Sequence, residues 1–272
     1  MFESIGVSFQ LTRESWALLR QDKEVLLFPV MGAVVSGVIA LTFLLPLVLT
    51  SGGGQPGPAG LVVMLLYYWA LYSIQVFFSV ATMSCAAIRM DGGDPTVGDG
   101  LRGAMAHLPS ILVWGAIAGT VGVVLRIIEG RSELLGKIIA AVVGVAWTSL
   151  TYFVVPVMVF ERRSAFAAIG HSGALFRSRW GEAMAGEAGL GLASFVLALL
   201  GGLPLALGIY LLSKDMVAPG AGLIGVAVLY WVVLALVSSC LSSIFNLALY
   251  RYAVQGQVPA GFTSNLVADH WR

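Results

Sequence analysis

Val25–Thr50 reads VLLFPVMGAVVSGVIALTFLLPLVLT, an apolar run without a single charged side chain. A helix rises about 1.5 Å per residue, so roughly 20 mostly apolar residues cross the hydrocarbon core of a bilayer. This run is long enough to do so. It is too long for a strand of a membrane barrel and lacks the alternation such a strand needs. Charged residues precede it, and the short core and small-residue cleavage site of a signal peptide are missing, which predicts a retained first helix. Five further runs follow: Leu61–Cys85, Ser110–Ile128, Ile138–Phe160, Ala183–Leu212 and Gly222–Tyr250. Arg126 and Glu187 are the only formal charges inside the six. The pattern predicts an all-α, polytopic bundle of six transmembrane helices, a single membrane domain over residues 1–272.

Composition agrees. The chain is 58% hydrophobic and 11% charged, against about 25% charged in soluble domains. A net charge of +1 argues against nucleic acid or a strongly charged substrate as partner. Eleven of the 15 Lys and Arg residues lie on one side of the predicted topology. These are Arg13, Arg20, Lys23, Arg89, Arg102, Arg162, Arg163, Arg177, Arg179, Arg251 and Arg272. Basic loops stay inside, so both termini are expected to be cytoplasmic, in the inner cell membrane. Cys85 and Cys240 fall in apolar surroundings and read as packing residues.

Parts of the chain repeat. Phe9, Ser15, Ala17, Leu18 and Arg20 recur at constant offset as Phe166, Ser172, Ala174, Leu175 and Arg177. Leu45-Pro46-Leu47 returns as Leu203-Pro204-Leu205, and Tyr68-Trp69 with Arg89 returns as Tyr230-Trp231 with Arg251. The expected unit is a cytoplasmic interfacial amphipathic helix, a span out, a short loop and a span back. Three internal parallel repeats would cover roughly 1–90, 91–163 and 164–255, with an amphipathic tail over 256–272. Units with two spans each share one orientation and meet about an axis along the membrane normal. In the first amphipathic stretch Phe2, Ile5, Phe9, Trp16 and Leu19 share a face. In the third, Phe166, Ile169, Gly173, Phe176 and Trp180 do. The middle one places Val97, Leu101, Met105 and Leu108 together, with Asp94 as N-cap and Pro95 at the first helical position. Trp16, Arg20, Phe176, Arg177 and Trp180 are the residues expected at the lipid interface.

Glu187 is the residue most open to a functional reading. It shares a small-residue face with Ala183, Gly191, Ser194, Ala198 and Gly201, which should turn it into the bundle. An intramembrane carboxylate suits proton or cation coupling. Alternatively it complements the helix N-terminus and pairs with Arg177 or Arg179. Arg126, with Glu129 nearby, either snorkels or forms a mouth that attracts a charged solute. Glu187 and Arg126 are therefore the candidate path residues. Asp91, Asp94 and Asp99 lie about a Gly turn, without the further oxygen ligands a cation loop needs. His107, His171 and His270 show no metal spacing. No cofactor is expected. Gly115-x-x-x-Gly119 is a close-packing signal. Two polar-aromatic patches, Tyr67, Tyr68, Trp69, Tyr72 and Gln75 on the second span and Trp147 to Tyr152 on the fourth, are explained by packing or by a central pocket.

The tract SWALLRQDKEVLLFP, residues 15–29, with the turn at Asp91-Gly92, resembles a six-helix prokaryotic integral membrane family of unassigned function. In layout alone the chain is similar to the membrane domains of glycerophosphodiester phosphodiesterases. That likeness implies only lipid-related work. The reading from the residues is a non-enzymatic scaffold or accessory subunit of a membrane complex, lipid handling included, with membrane lipids and homo- or hetero-oligomeric membrane partners. The alternative is a transporter or channel with its pathway between repeat units.

Overall fold

The computed structural model describes residues 16, 19–51, 57–131 and 135–255, and all regular structure among them is helical. A tight 3-10 turn, Lys23–Leu26, leads into α1 (Leu27–Ser51), and α2 (Pro58–Met90) and a short α3 (Val97–Ala106) follow. Next come α4 (Leu108–Arg131), α5 (Leu135–Thr151) and α6 (Val154–Phe160). Two long helices, α7 (Ala165–Leu212) and α8 (Val217–Gln255), complete the order. Among the described residues, six stretches are long and apolar enough to cross a membrane: Lys23–Phe43, Val62–Met90, Leu108–Gly130, Leu135–Phe160, Glu187–Leu212 and Val217–Val254. They coincide with the six runs read from the sequence. The chain is built as a multi-pass membrane protein.

Apolar side chains cover the outside of the spans. Leu41, Val142, Leu203 and Leu229 are 64% to 70% exposed, which water would penalise and lipid does not. The buried set, including Phe28, Val80, Met83, Ile111, Phe153, Met158, Phe245 and Leu247, gathers at the ends of the spans nearest Asp22, Arg89 and Arg251. Lipid tails are as apolar as leucine, so helices associate there through close packing. At the α2–α4 crossing, a Cβ added to Gly115 would stand 2.1 Å from Ser73 Oγ, and one on Gly119 would stand 3.0 Å from the Trp69 amide nitrogen. Trp69 Nε1 donates to the Leu112 carbonyl at 2.9 Å across the same seam.

Arginines clamp the end of the bundle where the core lies. Arg89 donates to both carboxylate oxygens of Asp22 and to Asp94. Arg251 grips both oxygens of Asp91, with Nη2 to Oδ2 at 2.9 Å. Its guanidinium holds the Asp91 carboxyl below the ordinary carboxylate value. Arg89 sits in the last turn of α2, where a cation complements the dipole.

Three sequence expectations change. Thr96, not Asp94, caps α3. Asp99 N donates to Thr96 Oγ1 at 3.3 Å while Thr96 N donates to Asp99 Oδ2 at 3.0 Å. This reciprocal box satisfies two backbone donors at once, which Asp94 could not. The inward face of α3 is Gly100 and Ala104, and Met105 is 57% exposed, because α3 approaches α2 too closely for larger side chains. Finally, the interfacial helix expected before the fifth span is the first part of α7, a helix continuous from Ala165 to Leu212. Ser164 caps that helix, and no proline interrupts it before Pro204. Phe2, Ile5, Phe9 and the tail over 256–272 lie outside the described residues.

Candidate functional site

The fourth span, one run in the sequence, is broken. α5 stops at Thr151 and α6 starts at Val154, with a turn over Tyr152-Phe153. Pro156 supplies the cause. It has no N–H, and its ring crowds the carbonyl four residues earlier, which is that of Tyr152. In lipid a freed backbone group needs another partner. Asn246 of α8 provides one, with Nδ2 donating to the Tyr152 carbonyl at 3.0 Å. The Phe153 N–H donates to Ser172 Oγ of α7 at 2.9 Å, in a fully buried bond. From Val157, whose N–H donates to the Phe153 carbonyl at 3.0 Å, the helix resumes.

Against this break lies a cavity of about 600 Å³ between α1, α2, α6, α7 and α8. Small-molecule sites span about 300–1,000 Å³. Gln75, Ser79 and Thr82 of α2, Tyr152, Glu187 of α7, and Ser239, Ser242, Ser243 and Asn246 of α8 supply its polar wall. Pro29, Val76, Phe78, Val155 and Leu236 supply an apolar one. Among the described residues, Glu187 is the one formally charged side chain in the lining. Its Oε1 accepts from the Tyr152 hydroxyl at 2.9 Å and from Ser242 Oγ at 3.1 Å. Ser79 and Ser243 bond to each other at 3.3 Å, and Thr82 Oγ1 donates to the Phe78 carbonyl at 3.0 Å. Asn246 is 8% exposed, and its Oδ1 has no hydrogen-bond partner. The orientation of this amide follows from chemistry: a carbonyl only accepts, so the atom facing Tyr152 O is the nitrogen.

The structure treats the expected residues differently. Glu187 enters the cavity, with two hydroxyls as its described partners; the Arg179 side chain lies outside the described residues. Arg126 is not part of the lining. Its Nε donates to the Tyr68 hydroxyl at 3.3 Å, and its Nη1 pairs with Glu129 at 3.6 Å on an exposed stretch. The two candidate path residues are therefore not brought together. Arg20 stacks 5.5 Å over the Trp16 ring at the surface. Phe176, expected at the lipid interface, turns inward and packs 5.9 Å from the Tyr152 ring, because α7 runs past the break in the fourth span. Arg177 is exposed, and the Trp180 side chain lies outside the described residues.

Of the two polar-aromatic patches, only Gln75 and Tyr152 reach the cavity. Tyr68 stacks on Tyr72 and meets Tyr67 edge-on, with Phe43 beside Tyr67. Trp147 stacks on Trp114 at 5.9 Å. Asp91, Asp94 and Asp99 each serve a different partner: Arg251, Arg89 and the Thr96 cap. His107 Nδ1 lies 2.9 Å from the Gly103 carbonyl. His171 Nε2 lies 3.1 Å from Glu161, which also accepts from the Tyr250 hydroxyl at 3.0 Å. His270 is outside the described residues. Both cysteines are free and buried.

Asn246, Ser242 and Pro156 went unnoticed in the sequence, although a signal existed. Ser239, Ser242, Ser243 and Asn246 fall at the spacing of one helical face within an apolar run. A polar stripe inside a membrane span marks an internal cavity or a helix contact.

A model of a family of unknown function (DUF6159) matches residues 58–262. The match covers α2 to α8, and with them most of the cavity wall. It includes the Asp91-Gly92 turn and leaves out the 15–29 tract. No curated protein matches the chain. The chain belongs to the DUF6159 family.

Proposed function

We propose that this chain is a non-enzymatic membrane protein of the transporter class, which takes a small polar solute into the cavity between α1, α2, α6, α7 and α8. One observation carries the reading: nine polar side chains of otherwise apolar spans converge on one space beside a broken helix. Polar groups inside a membrane are costly unless they face a bundle interior or a water-filled cavity. Discontinuous helices line substrate sites in many transporters, because non-helical backbone at membrane depth survives only where protein or water satisfies it. Here Asn246 and Ser172 do so. Glu187 is held by hydroxyl donors, an arrangement for gripping a ligand.

The pathway would run between repeat units over roughly 1–90, 91–163 and 164–255. The matched residues support this frame. Trp69 and Trp231 each donate to a carbonyl of a neighbouring span, at 2.9 Å in both cases. Arg89 and Arg251 each fork onto an aspartate. The test is thermal unfolding of the purified chain against a panel of small polar solutes, followed by flux of the hits into liposomes. A stabilising solute should also be carried. Complete silence in both assays would overturn the reading.

One observation favours a second reading, the scaffold or accessory subunit with lipid and membrane-protein partners. Only 11% of the most apolar windows in the fourth, fifth and sixth spans is buried, which leaves broad apolar faces for a partner helix. On that reading the chain would co-isolate with a stable partner and respond to no solute.

Both termini are placed in the cytoplasm on the bias of basic residues. In a chain without its native cysteines, a cysteine at Ser51 should react with a membrane-impermeant maleimide from outside intact cells. One at Ser164 should not. Labelling of Ser164 alone would invert the topology.

A further inference from the structure

We infer that the cavity is a site for an alkylammonium group, the protonated amine of a small organic solute; this rests on the solute-binding reading above. Around Glu187 the hydroxyl donors are spent and acceptors remain. The hydroxyls of Tyr152 and Ser242 spend their protons on Glu187, and Thr82 spends its own on the Phe78 carbonyl. Asn246 Nδ2 gives one of its two N–H groups to the Tyr152 carbonyl. Acceptors are left over. An ionised carboxylate offers about four lone-pair sites, and the two hydroxyls engage only Oε1. Asn246 Oδ1, in a residue 8% exposed, has no hydrogen-bond partner among the described residues.

Glu187 and Asn246 meet in one place. Ser242, which holds Glu187, lies one helical turn before Asn246 on α8, and Tyr152 bonds to Glu187 through its hydroxyl and to Asn246 through its carbonyl. A ligand that matches Glu187 brings positive charge, because the described lining supplies no cation for it. An ammonium has three N–H donors and one charge. A bare metal ion suits the space poorly. It would need about six oxygens closing around it, and the cavity, at about 600 Å³, has an apolar wall of Phe78, Val155 and Leu236 instead. That wall accommodates the carbon tail.

The experiment is calorimetric titration of the full chain in nanodiscs of zwitterionic lipid with ethylammonium chloride, sodium chloride and the neutral amide propionamide. Ethylammonium should bind, and the other two should not. Glu187→Gln should weaken ethylammonium binding at least about tenfold, as expected when one partner of a buried charge pair is removed. Glu187→Asp keeps the charge and should lie closer to the wild type, which separates loss of charge from loss of fold. Equal binding by the wild type and a folded Gln variant would overturn the inference. So would binding of sodium with none of ethylammonium. Propionamide binding that ignores Glu187→Gln would remove the ammonium assignment while leaving the solute cavity standing. A wild type that binds none of the three, yet is stabilised by an anionic or neutral solute in the wider panel, would do the same.

Discussion

Gly100→Leu will loosen the end of the bundle that carries the core, lowering the unfolding free energy by about 3 kcal/mol or more, the upper range for overpacking a core. A Cβ on Gly100 would stand 2.4 Å from Phe28 Cζ, 2.8 Å from Cys85 Sγ and 2.9 Å from the Ala81 carbonyl oxygen. None of these atoms can yield. Phe28 is fully buried, and the Ala81 carbonyl is helix backbone. The whole of α3 must therefore lift from α2, which also carries Thr82 of the cavity one residue further on. Gly144→Leu is the control, since a Cβ there meets nothing within 4 Å. It should leave stability unchanged or raise it by up to about 1 kcal/mol through helix propensity. Thermal unfolding in detergent reads both. A Gly100→Leu chain as stable as the wild type would refute the packing described for α3.

Spans were legible in the sequence because length and apolarity alone define them. Val25–Thr50 and its five counterparts required no knowledge of neighbours, and each reappears as helix, the fourth in two pieces. Glu187 was also legible, as a carboxylate on a small-residue face. Its partners were not. Tyr152 and Ser242 reach it from positions 35 and 55 residues away in sequence, and periodicity within one span says nothing about which span stands opposite. The break in the fourth span was hidden for a similar reason. Proline alone does not end a membrane helix: Pro46 and Pro204 both sit inside continuous helices. Pro156 coincides with a break because Asn246 and Ser172, on two other helices, satisfy the backbone it releases. Arg126 left two readings open, since a charge at the end of a span reads alike whether it faces a pathway or the surface.

Asn246→Leu should cost about 2 kcal/mol, and Pro156→Ala should return most of that loss. The leucine removes the donor to the Tyr152 carbonyl and leaves a buried acceptor unsatisfied, a penalty of about 1–3 kcal/mol. Hydrogen bonds between membrane helices measure about 0.6–2 kcal/mol, which keeps the estimate near the middle. Alanine at position 156 brings back an N–H four residues after Tyr152, so the orphaned carbonyl regains a helical partner and the fourth span can heal. The two substitutions should therefore couple by about 1 kcal/mol or more in a double-mutant cycle read by unfolding. Strict additivity would mean that Asn246 does not replace the bond Pro156 removes. Asn246 also carries the unpartnered Oδ1, and the double variant separates the two roles. Healing the helix restores the carbonyl's donor but not the acceptor in the cavity. A double variant that regains stability and still fails to bind ethylammonium assigns Asn246 both tasks. One that regains stability and binding together assigns it only the backbone.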